Sequence, residues 1–122
     1  MAKTQRERAL LTAYKERPVA GGICAIRNTA TGRVLLFSCL DPRGKKNRFA
    51  FAVSTGTCIE AALQKDWQEL GSSVFTFEIL ETLEKQPDQT DRAYQEELTL
   101  LLELWRERLT SRGDLFYGRE GA

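Results

Sequence analysis

The sequence predicts an α+β fold: a small antiparallel sheet of three or four strands packed against helices, with an added N-terminal helix. Three observations predict it. Apolar runs rich in strand formers occupy residues 22–28, 33–39 and 74–83. Apolar side chains recur at three- and four-residue intervals in residues 59–70 and 94–109, the mark of a helix face. The 122 residues suit one compact unit, so residues 1–122 read as a single domain with a loose tip at about 112–122.

The elements follow in order. Thr4 and Glu7 form a capping box for a first helix, Leu10, Leu11 and Tyr14 give its apolar stripe, and Pro18 ends it. GICAIRN (residues 22–28) and RVLLFSC (residues 33–39) form a hairpin about the polar turn Thr29-Ala30-Thr31-Gly32. DPRGKKNR (residues 41–48) reads as a loop, broken by Pro42 and Gly44. Phe49, Phe51 and Val53 then alternate with small residues as in a strand that Thr55-Gly56 ends. Thr57 and Glu60 form a second capping box, for a helix striped by Ile59, Leu63, Trp67 and Leu70 and stopped at Gly71. Phe75, Phe77 and Ile79 alternate along the next strand. The last helix spans about Asp91 to Leu109, with caps at Asp88 or Thr90 and a stripe of Tyr94, Leu98, Leu101, Leu102, Trp105 and Leu109.

Composition removes several chemistries. The chain has no histidine, which excludes a Ser-His-Asp triad, a Cys-His pair and a histidine-ligated metal. Cys24, Cys39 and Cys58 form no CxxC pair, and an odd, sparse set suits a reducing cytoplasm. Buried strand cysteines behave as small hydrophobes. No wholly apolar run exceeds five residues, Phe49 to Val53, too short for a membrane span, and the N-terminus has no signal-peptide stretch.

Charge is divided along the chain. Net charge is +1, yet residues 1–50 carry a balance of +8 and residues 51–122 a balance of −7. Arg43, Lys45, Lys46 and Arg48 place four cations within six residues, a set suited to phosphate contact or to a solvated surface. Glu96, Glu97, Glu103 and Glu107 lie on the last helix, where one or two carboxylates could hold Mg²⁺ together with substrate phosphates, or simply face water.

A hairpin opening with Gly22-Ile23, a second strand about ten residues on, a basic segment, then helix, strand and Glu-bearing helix resembles the GIY-YIG nuclease superfamily. The likeness is closest to its small bacterial single-domain members and runs through LQKDWQELG (residues 63–71), VFTFEILETLE (residues 74–84) and LWRERL (residues 104–109). The first family tripeptide falls on Gly22-Ile23-Cys24, with cysteine for tyrosine, and the second on Leu35-Leu36-Phe37, without its tyrosine and glycine. The resemblance implies phosphodiester cleavage with a divalent metal, Mg²⁺ or Mn²⁺. It makes Arg48 and Cys24 the remnant catalytic positions, Glu97 the metal ligand with Glu103 as alternative, and Arg43, Lys45, Lys46 and Arg48 the nucleic-acid contacts. Gly118 stands where the family has a closing asparagine. The lost tyrosines favour a degenerate or weakly active member that touches DNA or RNA. An inert interaction module, homodimeric and anchored by Trp105 and Tyr94, and an active metal-dependent endonuclease are the alternatives.

Overall fold

The computed structural model describes residues 20–58 and 60–117. The expected first helix, Ile59 and Gly118 lie outside these residues. Four strands form one sheet: β1 (Ala20–Asn28), β2 (Arg33–Cys39), β3 (Phe75–Glu84) and β4 (Leu115–Phe116), in the order β3-β1-β2-β4. β1 pairs antiparallel with both β2 and β3. The short β4 runs parallel to β2, so the sheet is mixed rather than wholly antiparallel, and part of the expected loose tip is a strand.

The segment after the hairpin corrects the sequence reading. Residues expected to be a basic loop and then a strand form one helix, α1 (Pro42–Thr55). Its start is well encoded: Asp41 accepts from the Gly44 N–H at 3.1 Å, and Pro42 occupies the first turn, where its missing N–H costs nothing. Its end is Gly56, whose φ of 74° closes the last turn. Phe49, Ala52 and Val53 face inward at helical spacing, while Phe51 is 69% exposed, so the apparent alternation of Phe49, Phe51 and Val53 was no strand period.

The second helix begins later than its capping signal suggested. Ala61–Leu63 form a 3₁₀ turn that leads into α2 (Gln64–Leu70). Glu60 makes no cap; its carboxylate is drawn instead to Lys45, with Nζ to Oε1 at 2.7 Å. α3 (Asp91–Ser111) starts as expected, with Thr90 Oγ1 accepting from the Ala93 N–H at 3.0 Å.

Alternation along β1 and β2 divides the core in two. Ile26 packs with Phe49, Ala52, Leu63, Trp67, Phe75 and Tyr117 beneath α1 and α2. Ile23, Ala25, Val34 and Leu36 pack with Leu109 beneath α3, which adds Leu101, Leu102 and Trp105. Helices therefore cover both faces of the sheet. Among the described residues no helix is long and apolar enough to cross a membrane.

Candidate functional site

Gly22, first residue of the first tripeptide, marks a close backbone approach. A Cβ there would stand 2.3 Å from the Glu81 carbonyl oxygen of β3, where the β1–β3 register shifts between Ile23 and Cys24. One residue earlier, the Gly21 N–H donates to Tyr94 Oη at 2.8 Å, and that hydroxyl donates to the Leu83 carbonyl at 2.6 Å. Tyr94 thus ties α3 to β1 and β3 and belongs to the core, which removes it from the expected interface anchors.

Cys24 faces the α1 side of the sheet and is 0% exposed. Its register partner is Phe37, and its Sγ lies 3.7 Å from Cys39 Sγ. Burial, and then the neighbouring Cys39, push the Cys24 thiol up to about 12, although Lys45 works against this. At neutral pH the group is a protonated thiol and a poor proton acceptor. Leu35 and Phe37 of the second tripeptide sit partly buried against the aromatic core, where the Phe37 ring packs edge-on to Phe77 with centroids 6.0 Å apart. Ile23, Cys24, Leu35, Leu36 and Phe37 all pack in or against the core.

Helix formation redistributes the four cations. Lys45 shares the inward side of α1 with Phe49; its Nζ lies 5.6 Å from the Phe37 centroid and is paired with Glu60. Arg43, Lys46 and Arg48 are exposed on the outer sides of the helix. Among the described residues no hydrogen bond or ion pair joins Arg48 to Cys24, whereas Lys45 lies over the Phe37 ring. No acidic side chain offsets these charges within α1, and the first-turn cations add to the positive end of the helix dipole.

The candidate carboxylates are on α3. Glu97 Oε1 accepts from Gln89 Nε2, of the loop before α3, at 2.6 Å. Glu103 is exposed in a shallow groove on α3, beside Thr99, Leu102, Arg106 and Glu107. Among the described residues no three His, Cys, Asp or Glu side chains gather as metal ligands, and neither glutamate is joined to Cys24, Arg48 or Lys45.

A buried polar cluster at the far end of β1 escaped the sequence reading. Asn28 is 0% exposed; its Oδ1 accepts from the N–H groups of Ala30 and Thr31 at 2.9 and 3.2 Å. Its Nδ2 donates to Tyr117 Oη at 2.8 Å, and the Tyr117 hydroxyl donates in turn to Asp66 Oδ2. Burial, then the bond to Asp66, raise the Tyr117 hydroxyl above its ordinary range. The Tyr117 N–H donates to the Val34 carbonyl at 2.8 Å, which holds the chain end against the hairpin. The partners lie 38 to 89 residues apart, so no local pattern announced them.

No protein-family model and no curated protein matches the chain. Two solved structures do. The fold resembles the catalytic domain of intron endonuclease I-TevI, solved as a single-substitution mutant. Identity is 22%, coverage is 84% of this chain and 96% of that one, and the TM-score is 0.56. A second structure, the catalytic domain of homing endonuclease I-TevI, is 24% identical, with coverage of 78% and 94% and a TM-score of 0.48. The expected α+β architecture is therefore present, and it shares its fold with the I-TevI catalytic domain.

Proposed function

We propose that this chain is a GIY-YIG nuclease-like domain that contacts DNA or RNA through α1 and cleaves weakly or not at all. The observation that carries the reading is the placement of Arg43, Lys46 and Arg48 on exposed sides of a helix that has no acidic residue of its own, in a fold shared with an endonuclease domain. Cationic helix faces neutralise phosphates and release counterions. Weak cleavage is argued from chemistry. A proton acceptor and charge-stabilising donors are required where the phosphate lies, and Cys24, Leu35 and Phe37 supply neither.

Titration of labelled single- and double-stranded DNA and RNA across salt concentrations tests the contact. Affinity is expected to fall steeply with salt and to weaken in the triple variant Arg43→Ala, Lys46→Ala, Arg48→Ala. Salt-independent binding, or none, would end this reading. Incubation with supercoiled plasmid and Mg²⁺ or Mn²⁺ tests the second part. Robust nicking that Glu97→Ala or Glu103→Ala abolishes would establish an active endonuclease in its place.

A second reading, an inert homodimeric module, draws on α3. Leu100 and Leu104, one turn apart, are 62% and 61% exposed. Sedimentation velocity separates the two: a dimer dispersed by Leu100→Glu favours the module, and a monomer at all concentrations removes it.

A further inference from the structure

The arrangement of sulfur atoms on β1 and β2 points to a chemistry that the nuclease fold does not explain. In the β1–β2 register Gly22 lies opposite Cys39 and Cys24 opposite Phe37, so the two cysteines are diagonal neighbours on one face. Gly22 has no side chain, which leaves the Cys39 sulfur free to lean toward Cys24. The sulfurs stand 3.7 Å apart. A disulfide needs about 2.05 Å, so closure demands a movement of roughly 1.7 Å, shared between two short side chains. Cys24 is fully buried and Cys39 is half-buried, so an oxidant from solvent meets Cys39 first.

We propose that Cys24 and Cys39 form a reversible oxidation site, at which a peroxide converts the facing thiols into an intramolecular disulfide across β1 and β2. The Cys39 thiolate attacks one peroxide oxygen, breaks the O–O bond and becomes a sulfenic acid, with hydroxide leaving for hydrogen peroxide. The Cys24 sulfur then attacks the sulfenic sulfur; the S–O bond breaks, and its oxygen leaves as water with the Cys24 proton. Two thiols lose two electrons and two protons, and one peroxide is reduced to two waters. A dithiol reverses the step by exchange through a mixed disulfide. Cys58 takes no part: its thiol donates to the Glu60 carbonyl at 3.2 Å. The bond spans 15 residues of sequence and constrains the unfolded chain, so the oxidised protein melts roughly 10 °C higher.

The test treats the full chain with hydrogen peroxide, quenches with a thiol-blocking reagent and maps tryptic peptides without reduction. Cleavage after Arg27 and Arg33 places Cys24 and Cys39 on separate peptides. The expected result is one linked pair of these peptides and a fall in titratable thiols from the three in the sequence to one, restored by dithiothreitol. Cys58→Ser should still form the bond, and Cys39→Ser should not. The proposal is overturned if the folded chain keeps all its thiols, if Cys39 proceeds to sulfinic acid without a link, or if the link includes Cys58.

Discussion

The two ends of β1 are each held by a tyrosine, in opposite ways. At the Gly21 end, Tyr94 bridges backbone groups of β1 and β3. At the Asn28 end, Tyr117 is one member of a buried side-chain chain that includes Asp66. At the Gly21 end the tyrosine joins backbone groups only, whereas at the Asn28 end buried polar side chains bond to one another. Buried polar side chains close the Asn28 end, while Cys24, Leu35 and Phe37 pack in or against the core. An unsatisfied buried polar group is costly, which is why Asn28, Tyr117 and Asp66 are bonded to one another.

The comparison can be broken most sharply at Asn28. Asn28→Ala orphans two turn N–H groups and frees Tyr117 and Asp66, so a loss of roughly 3 kcal/mol is expected in urea unfolding. A loss below about 1 kcal/mol would mean that the cluster closes nothing. Gly22→Ala comes next: its methyl meets a carbonyl oxygen of β3, and a loss of about 2–3 kcal/mol measures how tightly the tripeptide end is packed. Tyr94→Phe removes a donor and an acceptor between backbone partners, with about 1–2 kcal/mol expected.

Alkaline pH sharpens the contrast. The Tyr117 hydroxyl titrates higher in the folded chain than its ordinary value of 10.0, so the folded state holds this proton more tightly than the unfolded state. Its stabilisation is complete below that value and is lost as pH rises through the higher folded one. Tyr117→Phe should show a shallower loss of stability above pH 10.0 than the parent, and equal slopes would remove the bond to Asp66 from the account. The smallest stability effect is expected at Glu97→Ala, within about 0.5 kcal/mol, because its partner Gln89 is a loop residue and the bond is exposed.

Particular residues show how far the chain could be read unaided. Strands β1, β2 and β3, the stripe of α3 and the stop at Gly71 follow from period and punctuation. Helix α1 departs from the expected loop and strand because Phe49, Phe51 and Val53 mimic a strand period, whereas Asp41-Pro42 and Gly56 punctuate a helix. Glu60 carries a capping signal, yet an ion pair with a helix 15 residues earlier took its carboxylate. The change of Arg43, Lys46 and Arg48 from loop to helix gives the basic cluster fixed outward directions, and it turns Lys45 alone toward the sheet.

By itself the sequence determined the sheet-and-helix architecture, the residues at both tripeptides and the absence of histidine chemistry, since these depend on residue identity and short-range period. Only the tertiary structure decided which cation meets the tripeptides, which thiols face each other and which polar groups are buried together. Those depend on strand register and on contacts between distant residues, and local patterning does not encode them.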